Sequence, residues 1–286
     1  MTRLIKILAF SLLLLAISCE DKIKEKEIGT VPSSFTKKVL IEEFTGAWCG
    51  YCPDGAYRLE NIISENNGNV IGVSVHSGDD MEIEHTNFLA GTYQNTGFPA
   101  GMVDRLSLVD YYGNSFVSMS RGYWEYIAND QLSKTANCGL AIKSNVSGDN
   151  VEIEVHVGFN ENLEGDLRLN VYIIEDKVTG TGYGYDQSNY YDMDSSSSFF
   201  GMGNPIEGYE HNHTLRAVLT ESNGMSISSE FISSGEFEET FEFDISSFEK
   251  NKLSVVAFVN LMGTDFIEHE ILNTQKCSIE GFQDWD

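Results

Sequence analysis

The sequence predicts an α/β domain followed by an all-β domain, an antiparallel β-sandwich, and three observations carry that prediction. Between residues 39 and 76 a short β-rich run, a Cys-x-x-Cys pair, a helical pattern and a second apolar run follow one another. Beyond Cys138 the apolar residues recur at every second position, the period of a half-buried strand. The 286 residues, 41% of them hydrophobic, suffice for two packed cores of ordinary size. Lys and Arg number 18 against 44 Asp and Glu, a formal charge of −26, which repels phosphate backbones and excludes nucleic-acid binding as the main activity.

The N-terminus reads as an export signal. Arg3 and Lys6 precede an apolar run over residues 7–17. Those residues, as a helix, span only about 16 Å, against a hydrocarbon core of roughly 30 Å. A signal peptide over residues 1–18 fits better than a membrane span. Ala16-Ile17-Ser18-Cys19 resembles a bacterial lipoprotein cleavage site, which makes Cys19 the acylated N-terminus of the mature chain; ordinary secretion with cleavage nearby is the alternative. Residues 19–37 are charged and interrupted by Gly29 and Pro32, a tether between lipid and folded body. Membrane contact is then through the lipid alone.

Val39-Leu40-Ile41-Glu42-Glu43-Phe44 is the first strand, and Thr45-Gly46-Ala47-Trp48 turns the chain into Cys49-Gly50-Tyr51-Cys52. From Cys52 onward Ala56, Leu59, Ile62 and Ile63 recur at helical spacing until Asn66-Asn67-Gly68. Cys49 is thereby placed at a helix N-terminus, where unpaired N–H groups and the helix dipole favour a thiolate. Cys52, one turn on, is placed to attack a mixed disulfide formed on Cys49. A second strand over 69–76, a helix over 85–94, a third strand over 101–105 and a last helix over 115–132 follow; Phe116, Met119, Tyr123, Ile127 and Leu132 share one side of that last helix. The pair is also compatible with an inert disulfide or half of a metal site, with His76 and His85 the nearest histidines at uncompelling spacings. The strand-to-helix context favours redox chemistry.

Glu43-Phe44-Thr45-Gly46-Ala47-Trp48-Cys49-Gly50-Tyr51-Cys52 resembles the active-site segment of thioredoxins. In that family a buried acid lies six residues before the first cysteine, a tryptophan lies directly before it, and a cis-proline faces the pair. The resemblance therefore implies that Glu43 relays a proton to or from Cys52 and that Pro99 is the facing proline. Gly-Tyr replaces the usual Gly-Pro, with the proline displaced to Pro53. With its leader, the segment from Ile41 to Pro53 is similar to the outer-membrane-protein-twenty-eight-related lipoproteins, which join a thioredoxin-like domain to a β-rich one. The implied division is a thioredoxin-like domain over 38–136 and a β-sandwich over 137–286.

In the second half Val151, Ile153, Val155, Val157 and Phe159 alternate with polar residues, as do Leu167, Leu169, Val171 and Ile173, Phe241, Phe243 and Ile245, and Leu253 through Leu261. Cys138 opens the first of these strands and Cys277 follows the last, so a disulfide tying the domain's ends is expected, worth ~2–4 kcal/mol. Two separate buried thiols are the alternative. Residues 177–209 interrupt the strands with Tyr183, Tyr185, Tyr190, Tyr191, Phe199 and Phe200 among Gly, Ser, Asn and Asp. That composition suits a contact loop, or else a solvated excursion. Asp186, Asp192 and Asp194 offer oxygens to calcium without the ordered EF-hand pattern. His211 and His213 lack an identifiable third ligand, so no metal is assigned.

Two functions remain. The first is a lipid-anchored thiol–disulfide oxidoreductase of the bacterial cell envelope, held at the outer membrane: Cys49 attacks, Cys52 resolves, Glu43 moves the proton and Pro99 shapes the peptide side. It needs no cofactor, but it does need a redox partner and thiol- or disulfide-bearing envelope proteins as clients. The second is an outer-membrane binding or adhesion lipoprotein whose thioredoxin-like part is scaffold.

Overall fold

β1 (Val39–Thr45) and β2 (Val70–His76) are buried along their whole length, as near-continuous apolar runs require. They pair in parallel from Val39 against Val70 to Thr45 against His76, with α1 (Cys52–Glu65) as the crossover. The structure, a computed structural model, describes residues 26–161 and 163–286. The expected leader, the Cys19 expected to carry lipid and the start of the expected tether lie outside the described residues.

α2 (Glu84–Thr92) leads to β3 (Ala100–Val103), which runs antiparallel to β1. The expected long helix over 115–132 is a shorter one. β4 (Leu108–Val109) and β5 (Ser115–Phe116) form a small hairpin, β6 (Met119–Ser120) pairs with β3, and α3 covers only Trp124–Leu132. Pairing of Met119 with Gly101 overrides the helical spacing, and Arg121-Gly122 breaks the chain before Trp124. The Trp124 ring then lies fully buried over Gly101, where a Cβ would meet it at 2.8 Å.

The second half contributes β7 (Cys138–Ser147), β8 (Asn150–Phe159), β9 (Leu167–Glu175), β10 (Thr214–Val218), β11 (Met225–Ile227), α4 (Ser229–Ser234), β12 (Glu236–Asp244), β13 (Leu253–Leu261), β14 (Ile271–Ser278) and β15 (Gly281–Gln283). β12-β8-β7-β15 is a separate antiparallel sheet. The layer facing it does not stop at the second half. Its order, β14-β13-β9-β10-β2-β1-β3-β6 with β11 on β9, makes one mixed sheet of nine strands. The join is β10 beside β2, through Thr214 opposite Ser74 and the Ser74 N–H donating to the His213 carbonyl at 2.7 Å.

Period two explains why this sheet is buried on both faces. On β9 and β13, Leu169, Val171, Val255 and Ala257 face the four-stranded sheet. Tyr172, Ile174, Val256 and Phe258 join Leu40, Phe44 and Val73 in a core shared by both halves. On β1 the same alternation sends the adjacent Glu42 and Glu43 to opposite faces. Glu42 takes a two-pronged salt bridge from Arg105, Nε–Oε2 at 2.7 Å and Nη2–Oε1 at 2.8 Å, with both side chains buried. Arg105 also donates to the Tyr172 hydroxyl at 3.1 Å, and its guanidinium lies 5.0 Å from the ring centres of both Tyr93 and Phe258.

The expected Cys138–Cys277 disulfide is absent: both are free, buried thiols. The reason is register. Asn273 donates to the Cys138 carbonyl (2.8 Å), Gln275 to Leu140 (3.4 Å), and Ser144 donates to Ile279 (2.6 Å). Cys138 therefore lies beside residue 273, four positions from Cys277, on the order of 13 Å along a strand and beyond bridging range. Burial pushes the thiols up to about 12 and about 11, so neither is a reactive nucleophile at neutral pH.

Candidate functional site

β1 ends at Thr45 and the chain makes two tight turns before α1. The Cys49 N–H donates to the Gly46 carbonyl at 3.0 Å, and the Cys52 N–H to the Cys49 carbonyl at 3.1 Å. Pro53 follows in the first helical turn, where its missing N–H costs nothing. Cys49 and Cys52 form a disulfide with Cα atoms 5.4 Å apart. The Phe98–Pro99 bond is cis. Phe98 meets the Trp48 ring edge-on at 5.2 Å, and Pro99 lies against α1, 2.8 Å from where a Cβ on Gly55 would stand. That same Cβ would overlap the Glu43 carboxyl, so glycine lets the helix pass between the acid and the proline.

Glu43 lies beneath α1, fully buried, and neither carboxyl oxygen has a hydrogen-bond partner among the described residues. Burial pushes its pKa up to about 8, against the lowering effect of His213 and Arg121. It shares a cavity of about 200 Å³ with Cys52, Glu60, Tyr209, His211 and His213. The stability consequence has a definite sign. The folded protein holds this proton at pH values where the unfolded chain, near 4.5, has lost it, so stability falls as pH rises from about 4.5 through about 8. Glu43→Gln is expected to flatten that fall by roughly 2 kcal/mol between about pH 5 and about pH 7, measured by urea denaturation at both pH values.

The loop that interrupts the β-strands lies on the Cys49–Cys52 turn of its own chain. The buried Gln187 amide donates to the Cys49 carbonyl at 2.9 Å and lies 3.2 Å from that of Ala47. The Ser188 N–H donates to Ala47 O (2.7 Å) and the Tyr190 N–H to Gly50 O (2.9 Å). The Tyr190 ring covers Gly50, where any Cβ would overlap it, and meets Tyr51 edge-on at 5.1 Å. Arg121 bridges Asp54 of α1 to the Tyr191 hydroxyl, and Phe199 approaches Tyr57. As a result Cys49 is 4% exposed and Cys52 1%. Composition suits this loop to a contact surface or a solvated excursion; among the described residues it contacts its own chain, at a separation that no local pattern reports.

The three aspartates offered to calcium cap the loop's backbone instead. Asp186 accepts from the N–H groups of Gly182 (2.7 Å) and Gly208 (3.1 Å), Asp192 from Gly203 (2.7 Å), and Asp194 from Ser196 (3.0 Å). His211 and His213 do not converge on one point. His211 Nε2 lies 2.8 Å from the Tyr185 carbonyl, and burial pushes the ring down to about 4. His213 sits between Glu60 and Asp176, 3.2 Å from each, and these acids raise its pKa despite burial. His76 pairs with Asp79 at 2.7 Å, and His85 lies against Phe88 and Tyr172, so neither joins the cysteines. Among the described residues a different group, Glu154, His156 and Glu238, brings its ligand atoms within 4.8 Å of one another. It stands on β8 and β12, and the signal for it was the polar alternation of β8.

The family model for outer membrane protein Omp28 matches residues 86–281, a range that begins after the Cys49–Cys52 turn. HBP35 of Porphyromonas gingivalis has a similar structure, with a TM-score of 0.68 and 22% identity over 86% of this chain and 76% of that one. A protein of Agrobacterium tumefaciens is similar at a TM-score of 0.50 and 15% identity, over 84% of this chain and 94% of that one. At these identities the likeness is one of fold. No curated protein matches.

Proposed function

Because the chain belongs to the Omp28 outer membrane protein family, we propose that it is a thiol–disulfide oxidoreductase of thioredoxin-like type held at the bacterial outer membrane by a lipid on Cys19. The observation that carries this reading is the Cys49–Cys52 disulfide at the start of α1 with a buried, unpartnered acid behind it. In the reducing direction the Cys49 thiolate attacks a client disulfide and expels one client sulfur. The Cys52 thiol gives its proton to the Glu43 carboxylate, and the resulting thiolate attacks Cys49. The second client sulfur leaves, two electrons have passed to the client, and the disulfide seen here is restored. In the oxidising direction a client thiolate attacks Cys49, and Cys52 leaves with the proton of Glu43. A carboxyl near pKa 8 serves either direction at neutral pH. Pro99 shapes the side of the pair that a client approaches, and the loop over residues 187–191 must move aside first.

The burial of both sulfurs and the outward exposure of Tyr183, Met193, Phe200 and Met202 on the loop favour a second reading. In it, the protein is a binding or adhesion lipoprotein and the redox pair is a structural clasp. Cys52→Ala protein expressed in its native envelope separates the two. The enzyme is expected to accumulate mixed disulfides on Cys49, seen on non-reducing gels and identified by mass spectrometry. A gel free of adducts, with the wild-type disulfide resisting mild dithiols, supports the clasp.

A further inference from the structure

We propose that His213 is the proton supply behind Glu43, passing protons between the buried chamber and the solvent-facing acids Glu60 and Asp176. This rests on the oxidoreductase reading. Each half-reaction adds a proton to Glu43 or takes one from it, so the acid must be reset to the state the next one needs, and its carboxyl is sealed under α1 with no hydrogen-bond donor among the described residues. The chamber it shares with Cys52 is roomy enough for bridging water. The groups around Glu43 determine who can move a proton; Glu60 and Glu210 also line the chamber, Glu60 as the acid that His213 faces. Arg121 acts on Glu43 as a fixed charge, since a guanidinium does not release its proton. His211 is held neutral with Nε2 at the Tyr185 carbonyl, His76 is held by Asp79, and burial raises the Tyr209 phenol.

Of the rings around the chamber, His213 is the one whose two nitrogens face partly exposed acids. Its Nε2 faces Glu60 from α1 and its Nδ1 faces Asp176 after β9, each at 3.2 Å, and both acids are partly exposed. Lys276 of β14 and Glu43 of β1 complete its charged surroundings. The backbone is pinned in place. His213 has a positive φ of 56°, its N–H donates to Asp176 at 2.8 Å, and its carbonyl accepts from Ser74 of β2. The ring is therefore held at the seam where β10 meets β2, a place that only the joining of the two halves creates.

The test follows turnover of the full chain with dithiothreitol as electron donor and a small aromatic disulfide as acceptor. His213→Gln is expected to slow turnover at least tenfold and to move the Glu43-dependent limb of the pH profile upward, because a neighbouring positive charge is gone. Added imidazole is expected to restore His213→Ala in proportion to its concentration. A His213→Gln enzyme with the wild-type rate and profile overturns the proposal while leaving the oxidoreductase reading intact. Wild-type protein that does not turn over at all, like Cys49→Ser, sinks both. As a readout that needs no variant at His213, the wild-type ring's own NMR titration midpoint should shift in Glu43→Gln; an unchanged midpoint also overturns the proposal.

Discussion

Replacing Gln187 and Tyr190 together by alanine is expected to speed reduction of the Cys49–Cys52 disulfide by dithiothreitol roughly 30- to 150-fold. The sulfurs are 4% and 1% exposed because this loop is docked on them, so reduction proceeds through an undocked state. Gln187 supplies the amide bond to the Cys49 carbonyl, and Tyr190 supplies the ring over Gly50 and the contact with Tyr51. A hydrogen bond of this kind contributes a net of about 1 kcal/mol and an aromatic pair about 0.5–1.5 kcal/mol. Together with the lost area of the Tyr190 ring, about 2–3 kcal/mol of docking energy disappears, and each 1.4 kcal/mol is about tenfold in the open population. The rate is read by quenching with a maleimide that shifts gel mobility. An unchanged rate, in a variant with unchanged urea midpoint, means the disulfide is reached with the loop in place.

Arg105→Met is expected to cost about 3–5 kcal/mol of global stability and to do so in a single unfolding transition. The substitution leaves Glu42 fully buried without its partner, and breaking a buried pair from one side is costly in that range. A natural domain is stable by only about 5–15 kcal/mol, so the variant should sit near its limit. Arg105 touches Glu42 of β1, Tyr172 of β9, Phe258 of β13 and Tyr93 after α2, which span the supposed division between the halves. Urea denaturation followed by tryptophan fluorescence and by circular dichroism should therefore give coincident curves. Two separated transitions would show that the halves unfold independently. Glu42→Met with Arg105→Met should recover much of the loss, because no buried charge is then left alone.

The local features of the site were legible in the sequence because local rules govern them. A strand, a turn and a helical period fixed where Cys49 and Cys52 stand, and the alternating residues of β8, β9 and β13 marked the β-rich half. What escaped was set by register and long-range docking. Met119 carried a helical spacing but took its place beside Gly101 on a sheet edge. Cys138 and Cys277 stood at suggestive positions, yet a four-residue offset between β7 and β14 keeps them apart. Of two adjacent glutamates inside an apolar strand, the resemblance singles out Glu43 and leaves Glu42 without a role. Alternation sends one to Arg105 and the other to the chamber, so a charged pair there implies a buried cation on one side and a perturbed acid on the other. No pattern in residues 177–209 says that Gln187 reaches Cys49, 138 positions away.

The seam between β10 and β2 also limits what can be made from this gene product. Separating the halves there would bare β2, a strand buried on both faces, along its row of unsatisfied amides and carbonyls. Fragments would stick to one another through those raw margins, so neither portion is a usable stand-alone reagent. For the same reason a swap of one portion between relatives has to bring a matching margin with it.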